Sequence, residues 1–138
     1  MNKKQVIRDF ISHQKLAVLS TISQEGKPQS AVLEFGDTEN LEIIFDTFPF
    51  ARKYKNLKQN KNVSLVIGWD DNITIQYEGK AEELSGKELE KYKKEFFKKN
   101  PSAQRWEARG VKYFKVIPKW IRYSDLNKDP WEIFEVEL

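Results

Sequence analysis

The sequence lacks residue types on which many catalytic and metal sites depend. It contains no cysteine and a single histidine, His13. The absence of cysteine excludes disulfide bonds, cysteine-ligated zinc and thiol catalysis. One histidine argues against a histidine-rich metal site or a Ser-His-Asp triad. If the protein is an enzyme, we therefore expect a bound cofactor to supply the difficult chemistry.

Long apolar runs are also missing. The chain opens with Met1 and Asn2, followed by two lysines, and no apolar stretch resembles a signal peptide or a membrane span. We therefore expect a soluble, cytoplasmic protein. With 39% hydrophobic residues in 138, the chain has enough apolar side chains for one core, which predicts a single domain over residues 1–138. The net charge of +3 is mild and does not by itself indicate nucleic acid.

Many short strands dominate the pattern. Periodicity and turn residues predict helices over residues 3–13, 49–60 and 86–99. Strands are predicted over residues 16–22, 31–35, 41–45, 63–69, 73–78, 111–123 and 131–134. One helix follows the third strand and another follows the fifth. This order favours a mainly β, antiparallel barrel of six to seven strands with about three peripheral helices.

The segment from Phe45 to Lys53 concentrates groups that bind anions. A strand ends at Thr47, and the next helix opens near Arg52 and Lys53. A helix start presents unpaired backbone N–H groups and the positive end of the helix dipole. A hydroxyl, a guanidinium and an ammonium group at that position suit a phosphate. Thr47 would serve equally well as the helix cap, so the pattern alone predicts an anion site and nothing narrower.

Further motifs surround this segment in a definite order. They are Gly26-Lys27-Pro28 in a hairpin, Phe45-x-Thr47, Arg52-Lys53, Asn56-Leu57, Asn62-Val63-Ser64-Leu65, Trp69, and the run from Glu78 to Ser85. From about Leu16 to Asp125, the chain resembles the pyridoxamine 5′-phosphate oxidase-like superfamily of FMN-binding proteins, and within it the general-stress-protein-like branch. The resemblance implies a Greek-key split β-barrel.

The resemblance also implies positions for FMN. Arg52 and Lys53 would pair with its phosphate, and Thr47 would lie at the ribityl–phosphate end. Backbone that would run beside the isoalloxazine ring comes from two strands, at Ala31, Val32, Leu33, Glu34 and Asp46. Members of the superfamily usually form homodimers in which the partner subunit completes the flavin groove, and Trp106 or Trp120 would be candidates for that role.

Three positions depart from the oxidase pattern. An arginine in the second strand is replaced by Ala31, a serine before the Arg-Lys pair by Ala51, and a glutamine of the fifth strand by Thr74. We therefore expect FMN binding with fewer contacts, Thr74 remaining a candidate contact. The oxidases also use a tyrosine and an arginine in the helix after the fifth strand, and a C-terminal Trp and Arg segment, to hold the phosphate of the vitamin. Tyr92 matches the tyrosine, but the arginine position falls on Phe96 or Asn100 and the C-terminal segment has no match, which argues against pyridoxamine 5′-phosphate oxidation itself.

Several functions stay open on the sequence. The first is an FMN-dependent oxidoreductase with an unknown small-molecule substrate and no identifiable catalytic residue. The second is a non-catalytic binding or sensor protein for a flavin or another phosphorylated ligand. Barrels resembling this one also use deazaflavin F420 or haem, and FAD is a further alternative. The basic residues cluster on a helix, away from the aromatic residues of the strands, so we expect no nucleic-acid partner. The lack of a long apolar span and of cysteine and histidine ligands predicts no membrane partner and no metal site.

Overall fold

Eight strands joined by turns and helices form one antiparallel sheet in the computed structural model, which describes residues 1–138. The strands are β1 Leu16–Ile22, β2 Pro28–Glu34, β3 Gly36–Asp37, β4 Ile43–Thr47, β5 Asn62–Ile67, β6 Ile73–Glu83, β7 Lys112–Asp125 and β8 Glu132–Glu137. The helices are α1 Lys3–Ser12, α2 Arg52–Gln59, α3 Gly86–Lys99 and a 3₁₀ helix at Pro101–Arg109. None of these helices is long and apolar enough to cross a membrane.

The sheet curls into a split barrel. Its strand order is β2-β1-β5-β6-β7-β4-β3, and β8 pairs with the second half of β7. Phe35 alone separates β2 from β3, so the chain brings the two ends of the sheet side by side. We call the gap between the end of β2 and the end of β4 the seam.

A bulge helps to bend the long strands. The register between β6 and β7 shifts between Glu78 and Gly79, and Gly79 lies opposite Pro118. A Cβ atom at Gly79 would come within 2.4 Å of the Ile117 carbonyl oxygen, so only glycine fits there without a backbone shift. Pro118 therefore lies beside a bulge, where a strand tolerates a proline.

The inner face of the sheet carries the main core. Side chains alternate between the core and the outside along β1 and β5, as expected for a sheet with one solvated face. Phe45 is fully buried, and its ring stacks on Phe114 with centroids 5.4 Å apart. A second apolar cluster lies under α3 and includes Ile44, Phe96 and Tyr113. The strand that carries the anion motif is therefore packed on both faces.

The predicted architecture is confirmed, with corrections to its count and bounds. The structure has eight strands rather than six or seven and four helices rather than about three. The extra strand, β3, has two residues, which is too short for any periodicity to indicate. The helix predicted from residue 49 begins at Arg52, because Pro49 and Phe50 lie in the preceding turn.

Candidate functional site

The start of α2 has no side-chain cap. Its N-cap residue is Ala51, and no side chain accepts a hydrogen bond from the first turn. Thr47 does not fill this role: it is buried, and its hydroxyl donates to the Phe48 carbonyl at 3.2 Å. The first backbone N–H groups of α2 therefore remain available to an anion.

Two cations stand at this helix start without counter-ions. Arg52 is exposed and Lys53 is half-buried, and neither forms an ion pair within 4.0 Å. By contrast, Lys58 on the same helix pairs with Glu83 at 3.1 Å. Burial lowers the pKa of Lys53, and the nearby Asp46 carboxylate offsets part of this effect. A partly desolvated cation without a partner is a position that a bound anion would stabilise.

Both cations face β2 across a small cavity. The cavity has a volume of about 100 Å³ and is lined by Arg52, Lys53 and Ala31 together with neighbouring residues of β1 and β2. A larger hollow of about 370 Å³ lies beside it and shares Arg52 and Gln29 with it. The structure thus brings together three residues that the sequence assigned to the cofactor.

A buried amide fixes this arrangement. Asn56 on α2 donates from Nδ2 to the Thr21 hydroxyl and to Gln29 Oε1, both at 2.9 Å. These bonds tie the helix to both strands of the β1–β2 hairpin. Asn56 belongs to the Asn56-Leu57 motif of the sequence. Its role could not be predicted from that motif, because it depends on how the two strands of the hairpin pair.

Two carboxylates, those of Glu34 and Asp46, lie on opposite sides of the seam. Gly36 pairs with Ile44, and continuing this register by two residues places Glu34 opposite Asp46. Asp46 Oδ2 is buried and has no hydrogen-bond partner. Burial raises the pKa of Asp46, and Glu34 raises it further, while its own backbone N–H and Lys53 act in the opposite direction.

We expect Asp46→Asn to stabilise the protein at neutral pH. Because the folded pKa of Asp46 lies above the value in the unfolded chain, the folded state holds the extra proton between these two values. Stability is therefore lost as pH rises from the ordinary value of 3.8 through the raised one. Asparagine cannot ionise, so the stability advantage of the variant should grow over this interval and shrink toward zero below it. Urea unfolding of both proteins at pH 3 and pH 7 measures this difference; an advantage that is equal at both pH values would contradict the assignment.

Tyr113 extends this group of polar side chains. It pairs with Asp46 across β4 and β7, and its hydroxyl is buried without a hydrogen-bond partner. Burial raises the pKa of Tyr113, and the carboxylates of Glu107 and Asp46 add to the effect. Sequence reasoning missed Tyr113 because only the register of two distant strands brings it beside Asp46.

The remaining predicted residues lie apart from the cavity. The Val32 side chain points to the outer face of the sheet and is 61% exposed, whereas Leu33 is buried in the core. Only the backbone of Leu33 is therefore available to a ligand. Thr74 lies on β6, separated from β2 by β1 and β5, so one chain does not bring it to the two cations. Its contact with the cofactor stays a prediction.

The curled antiparallel sheet with its seam is the architecture of the split β-barrel class. The two unpaired cations lie at a helix start beside this seam. A family model described as pyridoxamine 5′-phosphate oxidase matches residues 4–125, and the chain belongs to this family. The pyridoxine/pyridoxamine 5′-phosphate oxidase of Ehrlichia ruminantium is 29% identical over 90 residues, which cover 64% of this chain and 46% of that protein. The chain therefore spans less than half of this curated relative.

Solved structures show the same fold over nearly the whole chain. General Stress Protein 26 from Bacillus anthracis matches with a TM-score of 0.75 and 27% identity, covering 99% of this chain and 100% of that one. A heme binding protein from Mycobacterium smegmatis matches with a TM-score of 0.84 at 14% identity, covering 97% of this chain and 57% of that one. The second likeness concerns the fold alone.

Proposed function

We propose that residues 1–138 form a single FMN-binding domain, and that the protein is a flavin-dependent oxidoreductase acting on a small molecule. The observation that carries this proposal is the half-buried, unpaired Lys53 beside Arg52 at the uncapped start of α2. These groups fit a phosphate monoester, and FMN is the phosphorylated cofactor that the family resemblance implies.

Each part of the site would have a distinct role. Arg52, Lys53 and the free N–H groups of α2 would hold the phosphate, with Thr47 at the adjoining strand end. The backbone of β2 from Ala31 to Glu34 and that of Asp46 would flank the ring. When bound, FMN would supply electron transfer. The chain's own groups would anchor the phosphate at the start of α2, with the Asp46 carboxylate close to Lys53 and Glu34 close to Asp46.

A visible spectrum of the purified protein is the first test. We expect either a yellow protein that releases FMN on denaturation or an apoprotein that quenches the fluorescence of added FMN on binding. A colourless protein that binds no added FMN, but does bind F420, FAD or haem, would contradict the FMN assignment. Reduction of the bound flavin by NADH or NADPH under steady-state conditions would support the oxidoreductase.

The second candidate is a non-catalytic store or sensor of the same ligand. Ala31 favours it, because this chain lacks the cation that oxidases carry at that position. A flavin that binds but never turns over with any reductant would support this alternative.

Haem is less well matched by the residues present. His13, the one histidine, is exposed at the end of α1, and its Nδ1 lies 2.7 Å from the Asp9 carbonyl oxygen. His13 is absent from the cavity between Ala31 and the two cations, so a haem there would need another iron ligand.

We further propose that two copies of the chain associate through the outer face of the sheet. Val18 is paired with Val32 on one side and with Val66 on the other, which forms an apolar row across β2, β1 and β5. Val32 and Val66 are 61% and 40% exposed. The absence of a nucleic-acid partner and the cytoplasmic location stay predictions.

The variant Val32→Asp is expected to convert this dimer to a monomer. A carboxylate in an apolar interface loses its hydration without gaining a partner, so association should weaken by about tenfold or more. Light scattering after size-exclusion chromatography measures the change, with Gln104→Asp on the exposed 3₁₀ helix as the charge-matched control. A native protein that is monomeric at micromolar concentration would overturn the proposal.

A further inference from the structure

Gln29 lies where this site lacks a cation. It precedes Ala31 by two residues on β2, so both side chains point to the same face of the strand. Both line the small cavity together with Arg52 and Lys53. Gln29 therefore places a polar side chain next to Ala31, the position at which this chain lacks a charged group.

The hydrogen bonds of Asn56 fix which end of the Gln29 amide is free. Asn56 Nδ2 gives one bond to Thr21 Oγ1 and the other to Gln29 Oε1, so it uses both of its protons. Thr21 and Asn56 are both buried, so water cannot replace the hydrogen bond between them. Because its oxygen is engaged by Asn56, Gln29 keeps both Nε2 protons for another acceptor.

We propose that Gln29 is a phosphate ligand of this site, donating from Nε2 to the group held by Arg52 and Lys53, and that Asn56 is the residue that positions it. This inference rests on the proposed function, because it requires a ligand with a phosphate monoester. A neutral donor adds a directed hydrogen bond to an oxyanion without adding a third charge beside Arg52 and Lys53. The amide thus takes part of the role that a charged side chain at Ala31 would have.

This role of Gln29 predicts that the site distinguishes ligands with a phosphate from ligands without one. Gln29 should contribute to the binding of FMN and not to that of riboflavin, which has the same ring and ribityl chain without the phosphate. A side chain that merely supported the hairpin would affect both ligands alike.

The test compares the two ligands across a set of variants. We expect Gln29→Ala to weaken FMN binding about tenfold and to leave riboflavin binding unchanged. Gln29→Glu should weaken FMN binding more, because its carboxylate accepts from Asn56 yet repels the phosphate. Gln59→Ala, an exposed glutamine farther along α2, is the control. Fluorescence quenching gives each Kd.

The positioning role of Asn56 is tested by combining its substitution with that of Gln29. We expect Asn56→Ala to weaken FMN binding in the native background and to cause little further loss in the Gln29→Ala background. Losses that multiply would show that Asn56 acts by another route and would overturn its positioning role. If Asn56→Ala does not fold, the Gln29 variants still decide the ligand assignment.

The outcomes separate this inference from the proposed function. If the native protein binds FMN through Arg52 and Lys53 but Gln29→Ala binds it equally well, the inference fails and the proposed function stands. Equal losses for FMN and riboflavin would also overturn it. A native protein that binds neither FMN nor inorganic phosphate would overturn both.

Discussion

Replacing Arg52 and Lys53 together by alanine is expected to weaken FMN binding by a factor of roughly a hundred to ten thousand. Hydrogen bonds to a charged group contribute about 1.5–3 kcal/mol each, which corresponds to roughly ten- to a hundredfold in affinity for each single variant. The two residues are adjacent at the helix start and would contact the same phosphate. The loss of binding free energy in the double variant therefore need not equal the sum of the two single losses.

The two single variants should differ in their response to salt. Lys53 is half-buried, and its charge is screened less than that of the exposed Arg52. We therefore expect the Arg52→Ala loss to shrink at high ionic strength and the Lys53→Ala loss to persist. FMN titrations at low and high salt measure this, and Lys61→Ala, which removes an exposed cation just after the same helix, is the control. An unchanged Kd in Lys53→Ala would remove that residue from the site.

The parts of the fold that the sequence predicted well are those with a long, regular pattern. The bounds of β1 and α3 were predicted to the residue and those of α1 to within one, because one face of each is continuously apolar. The 3₁₀ helix from Pro101 was missed, since its nine residues carry no such period. The start of α2 was placed three residues early because Pro49 suits both a first helical turn and the turn that precedes one.

The site was predictable only where its residues are close in sequence or matched by family resemblance. Arg52 and Lys53 are neighbours at a recognisable helix start, and the resemblance added Ala31 from a distant strand. Gln29 and Tyr113 carried no local signal. Gln29 is defined by a buried amide on another element, and Tyr113 by a strand register that spans most of the chain. Contacts of this kind depend on the closure of the whole barrel.

Three features of the structure support the proposal that this site, with one cation fewer than the oxidases, would hold a phosphate. The helix start is uncapped, Lys53 forms no ion pair within 4.0 Å, and Asn56 ties α2 to β2 through its hydrogen bond to Gln29. We expect the nearby carboxylates of Glu34 and Asp46 to oppose the binding of an anion here. Adding a cation at the vacant position should therefore have a large effect.

Ala31→Arg is expected to tighten FMN binding about ten- to a hundredfold. Ala31 borders the cavity of about 100 Å³ that Arg52 and Lys53 also line, so a guanidinium group entering it would meet the phosphate between two existing cations. Its bond to the phosphate would be charge-assisted and directional. In the absence of ligand the three cations repel one another, so the unliganded variant should be slightly less stable than the native protein.

When FMN is bound, we expect Ala31→Arg to become more stable than the native protein. At saturating FMN, each tenfold decrease in Kd adds about 1.4 kcal/mol of apparent stabilisation. Thermal unfolding with and without FMN should therefore show a larger ligand-induced shift for Ala31→Arg than for the native protein. Ala31→Met fills the cavity without charge and should bind FMN no more tightly than the native protein. Equal tightening by Met and Arg, or equal tightening toward riboflavin, would show that the cavity beside Ala31 is not where the phosphate binds.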